Sequence, residues 1–373
     1  MQDGSSSEIY IGLMSGTSLD GVDIVIVDFA QHPPGLIYSA TEPYEPSLRQ
    51  RIRDITLNPT TSLDDLCQLD IELGVTYANI VNRRLDLAEI QQCDVCAIGN
   101  HGQTIRHSPG TDLPYTLQIG DPNVIVAETG ITCVGDFRRR DVALGGQGAP
   151  LAPAFHQFMF GSDTINRAII NIGGIANITC LPAAAGSSVI GFDTGPGNTL
   201  LDYWINQHSR SSYDDQGKWA ATGSVIDELL NSMLDTEAYF QQPPPKSTGT
   251  EYFNSGWLSA YLDSEFDAPN VQATLVELTA VTIARAVSQL PAAPAECYIC
   301  GGGVHNLYLI ERLQKQLADC RIRSTDHLGL DPDFVEAVAF AWLARQSLNR
   351  RTGNLPGVTQ ARNEAILGGI YFK

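Results

Sequence analysis

Residues 9–29 read IYIGLMSGTSLDGVDIVIVDF. Two apolar, β-branched runs, 9–13 and 22–29, flank a polar turn rich in glycine and hydroxyls, which predicts two strands joined by a tight loop. About 160 residues later the same build returns: 168–181 reads AIINIGGIANITCL, with Gly173-Gly174 pinching two apolar runs. No residue-by-residue identity accompanies this echo, but it fits two related α/β lobes.

The flanking segments extend both halves. A helix is expected from Ser62, its cap, to about Ile90, with Leu66, Leu69, Leu73, Tyr77 and Ile80 on one face. Strands follow near 94–99, leading into NHGQT, and near 131–135, ahead of GDFRRRD. Beyond the Gly/Pro-rich passage 145–153, a strand near 188–193 ends in FDTGPGN and a helix starts at about Asn198. A long helix spans about 271–290, capped by Asn270, and a strand at 297–300 enters Gly301-Gly302-Gly303. The last helix is expected from Asp331-Pro332 to about Asn349. The lobes are accordingly placed at 1–140, joined by 350–373, and at 141–349.

Composition narrows the function. The 373 residues are 43% hydrophobic and 17% charged, enough apolar material for a two-lobed core. A formal charge of −19 argues against nucleic-acid and membrane-surface partners. Only Lys218, Lys246, Lys315 and Lys373 are lysines, so a bound anion would rely on Arg, backbone N–H groups or a metal. The polar start MQDGSSSEIY has no basic or apolar leader pattern, and no apolar run suggests a membrane span, so the cytoplasm is expected. Cys93/Cys96 and Cys297/Cys300 form two CxxC pairs. Both lie in strand-like stretches, where residues three apart face opposite ways, so buried free thiols are preferred to zinc ligands.

Common catalytic signatures are missing: there is no GxxxxGK[ST], no GxGxxG after a strand, no HExxH and no GxSxG. What stands in their place is a set of glycine turns at strand ends. In SGTSLDG, Gly16 and Gly21 free the backbone N–H groups while Thr17 and Ser18 add neutral donors, a pattern suited to phosphate, and Asp20 suits a hydrated Mg²⁺ beside it. A plain hairpin loop would use the same residues. NIGGIAN and GGG are further turns of this kind. Asp193 ends a strand ahead of a rigid Gly-Pro-Gly turn, where it can accept a proton or simply cap a helix. Glu336 sits at the start of an otherwise apolar helix, where a charge needs a partner or a task. His101, Gln103, Arg138 and Arg140 are polar groups suited to hydroxyls and a carboxylate. An Arg triplet is also a common solvated surface.

Taken in order, MSGTSLDGVD, NHGQT, GDFRRRDVALGGQGAPLAPAFH, NIGGIAN, GFDTGPGN, PKSTGTEYFN and CGGGVHN resemble the anhydro-N-acetylmuramic acid kinase family from about Ile9 to the C-terminus. The resemblance implies two ribonuclease-H-like lobes of the actin-like ATPase fold around a central nucleotide and sugar cleft. It also implies ATP with Mg²⁺, ring opening of the anhydro sugar with phosphorylation of O6, and a role in cell-wall recycling. Carried over by motif, Gly16, Thr17, Ser18, Leu19, Asp20, Gly21, Val22 and Asp23 would grip ATP phosphates, with Gly173 and Gly174 facing them. Gly301, Gly302 and Gly303 would lie near adenosine. Asp193 would be the general base, and Glu336 would help orient water. Lys246 would reach ligand or order its proline-rich loop. A sugar kinase acting on a free hydroxyl and a non-catalytic nucleotide switch are the competing readings. The family habit and an exposed apolar helix at 333–348 suggest a homodimer.

Overall fold

The computed structural model describes residues 8–16, 19–58, 60–184 and 186–373. Among them the strands are β1 (Ile9–Met14), β2 (Gly21–Asp28), β3 (Gly35–Pro43), β4 (Val95–Asn100), β5 (Gln103–Ser108), β6 (Tyr115–Ile119), β7 (Cys133–Gly135), β8 (Arg167–Ile172), β9 (Ile175–Leu181), β10 (Ile190–Pro196), β11 (Glu296–Cys300), β12 (Arg321–Ser324) and β13 (Gly369–Tyr371). They fall into two compact units.

In the first unit the sheet order is β13-β7-β4-β1-β2-β3. β1, β4 and β7 run parallel, while β2 is antiparallel to β1 and β3 to β2. The second unit repeats the pattern as β10-β9-β8-β11-β12, with β8, β11 and β12 parallel and β9 and β10 reversing in turn. Hairpin, hairpin, then parallel crossovers is the ribonuclease-H-like plan, present twice. The echo between 9–29 and 168–181 is therefore a true correspondence of the first two strands of each sheet.

Each unit has its own core. The first packs Ile11, Leu13, Ile24 and Ile26 against Leu69, Leu73 and Tyr77 of the helix Leu63–Leu87. Ser62 caps that helix as expected, its hydroxyl accepting from the Asp64 and Asp65 N–H groups at 3.1 and 3.4 Å. The second unit is built around the helix Ala268–Ser288. This helix has the length and mean hydropathy of a membrane span, but 78% of that window is buried inside the protein.

Several expectations are corrected. The units are residues up to Phe155 with Phe334–Lys373, and His156–Asp333. Thus 141–155 and the helix Val335–Leu348 belong to the first unit, not to a lobe at 141–349. That helix is buried on the first sheet, so it offers no apolar face for a homodimer. It starts at Val335, not at Asp331-Pro332, because the Pro332 carbonyl accepts from the Gly301 N–H at 2.9 Å. The long helix begins at Ala268, with Pro269 in its first turn, and Asn270 instead accepts from the Ser224 N–H at 2.8 Å. Cys297 and Cys300 are buried thiols, whereas Cys93 and Cys96 are exposed. No group of three or more His, Cys, Asp or Glu among the described residues could hold a metal ion.

Two glycines make the helix Val335–Leu348 possible. A Cβ at Gly12 would lie 1.9 Å from the Ala337 carbonyl oxygen, and one at Gly99 would lie 2.1 Å from that of Phe340. Both obstacles are backbone, so neither can rotate away. Gly12→Ala and Gly99→Ala are expected to destabilise the first unit by about 1–3 kcal/mol or more, as overpacking does. Urea unfolding measures this, and unchanged midpoints would contradict the packing.

Candidate active site

The first unit holds one set of groups around the β1–β2 turn. Thr17 and Ser18 lie outside the described residues. Leu19 takes a left-handed φ of 58° and is buried, as is Val22, so their side chains belong to the core and only their backbones can face a ligand. Asp20 is exposed and pairs with Arg49 at 3.1 Å, and Asp23 accepts from the Thr41 hydroxyl at 2.6 Å. Gly21 is required by close approach: a Cβ there would sit 2.2 Å from the Glu42 carbonyl oxygen.

Behind the turn lies a buried polar network. The Ser15 hydroxyl donates to Gln103 Oε1 at 2.6 Å and meets the Tyr44 hydroxyl at 2.7 Å, which in turn meets that of Tyr77 at 3.0 Å. Gln103 Nε2 donates to the Gly16 carbonyl at 3.4 Å. Gln103 is only 1% exposed, and its amide braces the turn.

His101 is also internal. It packs on Phe340, with ring centroids 4.6 Å apart, and its Nε2 accepts from Arg138 Nε and Nη2 at 3.0 and 2.9 Å. Burial, reinforced by the Arg138 guanidinium, holds the imidazole well below its usual pKa. A neutral ring accepting at Nε2 carries its proton on Nδ1. Arg138 Nη1 donates to the Gly148 carbonyl at 2.8 Å, and buried Asp141 accepts from the Gly148 N–H, Asn354 and Thr359 at 2.8, 2.7 and 2.7 Å. Arg140 is exposed, with no hydrogen bond or ion pair from its side chain among the described residues.

Glu336 is solvent-accessible, yet the dense protein around it raises its carboxyl pKa; Arg138 opposes this and Asp23 adds to it. The first unit thus brings Glu336, Arg138, His101 and Asp23 into one electrostatic neighbourhood.

In the second unit the carbonyls of Gly173 and Gly174 accept from the N–H groups of Asn198, Gly197 and Thr199 at 2.8, 2.9 and 3.1 Å. This ties the β8–β9 turn to the start of the helix Thr199–Ser209. The three glycines after β11 differ in purpose. Gly301 has φ 77°, and a Cβ there would meet Asn171 Oδ1 at 2.3 Å, while one at Gly303 would meet Ile172 Cγ2 at 2.3 Å. Only Gly302 opens on space, with Asn198 Nδ2 nearest at 3.9 Å, so Gly302 is the member free to lie against a ligand.

Asp193 stands where the β10–β9 pairing shifts register, between Asp193 and Gly195. Such bulges re-aim side chains. Its Oδ2 accepts from the Thr248 N–H at 2.9 Å and the Ser247 hydroxyl at 3.1 Å. Its backbone is clamped too: its N–H donates to the Lys246 carbonyl at 3.1 Å, and the Tyr239 hydroxyl donates to its carbonyl at 2.7 Å. Burial pushes the carboxyl up to about 6 against the pull of those two donors, and Glu251 adds to the rise. Lys246 donates to the Tyr239 carbonyl at 3.0 Å and lies 4.6 Å over its ring, so it orders the loop. The cap alternative for Asp193 is excluded, since the helix after it has Asn198 at its N-cap.

Two ribonuclease-H-like sheets, each opening on a hairpin with a glycine turn, define the fold of the actin-like ATPase class. The anhydro-N-acetylmuramic acid kinase family model matches residues 8–373. Anhydro-N-acetylmuramic acid kinases of Coxiella burnetii, Saccharophagus degradans and Pasteurella multocida are 49%, 48% and 47% identical, over 97–98% of this chain and 97–98% of theirs. Among solved structures, an ADPNP-bound activator of 2-hydroxyisocaproyl-CoA dehydratase from Clostridium difficile covers 92% of this chain and 97% of its own, at a TM-score of 0.46 and 12% identity. A ROK glucokinase from Streptomyces griseus with glucose and AMPPNP covers 91% and 99%, at 0.42 and 13%. The chain belongs to the anhydro-N-acetylmuramic acid kinase family, and it is a kinase that uses ATP.

The hydrogen-bond donors to Asp193 favour its charged form, so removing one raises its pKa further. The acid limb of kcat/KM is expected near pH 6, with Ser247→Ala moving it to higher pH by about half a unit to one unit. A limb unmoved in Ser247→Ala, read from a pH–rate profile, would contradict the latch.

Proposed function

We propose that the protein opens the 1,6-anhydro bridge of anhydro-N-acetylmuramic acid with water and phosphorylates the freed O6. The products are N-acetylmuramic acid 6-phosphate and ADP. The latched, elevated Asp193 carboxylate carries this reading. Oδ2 is engaged by Ser247 and Thr248, whereas Oδ1 has no hydrogen bond among the described residues. Oδ1 therefore takes a proton from water as that water attacks the anomeric carbon. The C1–O6 bond breaks, and O6 attacks the γ-phosphorus in line as the bond from that phosphorus to the departing ADP oxygen breaks.

Each half-reaction assists the other. The departing O6 needs its developing charge relieved, and bonding to phosphorus relieves it, so positioning and electrostatics are the protein's main task. Glu336, its proton held more firmly than usual, helps orient the water. Arg138 and His101 are hydrogen-bonded to each other, and the exposed Arg140 guanidinium is of the type a substrate carboxylate would meet.

The open glycines Gly173 and Gly302 fit a nucleotide, since neither has a backbone obstacle closer than 3.6 Å to a Cβ. Mg²⁺ keeps most of its water and needs one or two carboxylates beside the phosphates. Asp20 and Asp23 at the β1–β2 turn are of the right type to hold it, and there it would offset phosphate charge. The expected setting is the cytoplasm, in the salvage of cell-wall sugars.

Asp193→Asn is expected to lower turnover by about 10²–10⁴-fold while nucleotide binding persists; turnover at the wild-type rate would contradict Asp193 as the base, and a biological activity unchanged in the variant would favour a nucleotide switch. A reaction run in ¹⁸O-water separates ring opening from simple phosphorylation. Label should enter at C1 of the product, and a product without label would leave a sugar kinase acting on a free hydroxyl.

A further inference from the structure

Three thiols share one layer of the second sheet. Cys180 on β9 and Cys297 on β11 both pair with Ala168 of β8, whose small side chain leaves room between them, and Cys320 immediately precedes β12. Cys180 and Cys297 are fully buried, and Cys320 is 7% exposed. The sulfurs of Cys297 and Cys320 lie 3.0 Å apart. A sulfur–sulfur bond needs about 2.05 Å, so about 1 Å of side-chain movement would join them.

Cys320 also has a route to solvent. It lines a surface cavity of about 510 Å³ together with Glu296, Gln314, Asp319 and Arg321. This cavity is separate from the glycine turns and from Asp193, and nothing in the kinase chemistry uses it. The cysteines divide the work asymmetrically. The Cys320 thiol donates to the Cys297 sulfur, and Cys320 is the member that reaches the cavity while Cys297 is fully enclosed behind it.

We propose that Cys320 and Cys297 are a peroxide-oxidisable pair, Cys320 attacking and Cys297 resolving, that closes into a disulfide linking β11 to the segment before β12. The Cys320 thiolate attacks one oxygen of hydrogen peroxide and the O–O bond breaks. Sulfenic acid forms on Cys320, and the departing hydroxide takes a proton to become water. Cys297 then loses its proton and displaces hydroxide from the Cys320 sulfur, forming the S–S bond and a second water. Two thiols are oxidised and one peroxide is reduced. The inference is independent of the substrate assigned above.

The test is thiol mapping of the full chain after hydrogen peroxide, with free cysteines alkylated under denaturing conditions before digestion and mass spectrometry. The expected product is a linked peptide joining Cys297 and Cys320, lighter by two hydrogens than the separate pieces and lost on dithiothreitol treatment. In Cys297→Ser, a dimedone-type nucleophile should trap Cys320 as its sulfenic acid. Exposed Cys67, Cys93 and Cys96 report that the oxidant acted. Oxidation of those three with Cys297 and Cys320 both recovered as thiols would overturn the proposal. So would a linked peptide pairing either of them with Cys180.

Discussion

The proposed chemistry depends on how one carboxylate is held. Left in water, Asp193 would be too weak a base to take a proton from water near neutrality; stripped of water with no partner, it would stay protonated. Burial raises its pKa, and two donors from the loop at 247–248 limit the rise to about 6. The donors sit on one oxygen, so the loop both tunes the group and aims the other oxygen. Lys246 and Tyr239 serve this latch, one by ordering the loop and the other by gripping the Asp193 carbonyl.

The duplicated sheet explains where the other groups sit. In each unit the first hairpin ends in a glycine turn, β1–β2 in one and β8–β9 in the other, and the first strand lies between the second strand and a parallel neighbour. Each turn is fastened from behind by different means. The first rests on side chains, Ser15, Gln103, Tyr44 and Tyr77, and the second on backbone carbonyls accepting from a helix start. One plan thus yields two turns fastened in unlike ways.

Much of this was legible in the chain. Continuous apolar, β-branched runs gave away β1, β2, β8 and β9 to within a residue or two, because strands buried on both faces carry apolar side chains at nearly every position. The glycine turns and Asp193 were visible because they interrupt those runs. What stayed hidden rests on contacts between distant residues. Val335–Leu348 looks like an exposed apolar helix until Gly12 and Gly99 are seen to let it close onto a sheet more than 200 residues away in sequence. Gln103 reads as a free polar group, yet its amide is consumed by Ser15 and Gly16. Ser247 and Thr248 stood only as part of the family-like block PKSTGTEYFN, with no sign of their grip on Asp193, since a backbone N–H cannot be read from residue type. Asp141 was likewise just the last letter of an Arg-rich motif, although three segments converge on it.

Titrating Asp193 itself tests the account most directly, by the difference in carboxyl ¹³C NMR between the aspartate-labelled protein and Asp193→Asn. The account predicts one resonance, absent from the variant, that titrates near pH 6. A missing resonance that titrates near the ordinary aspartate value of about 3.9 would contradict it, because such a group would be neither buried nor poised as a base.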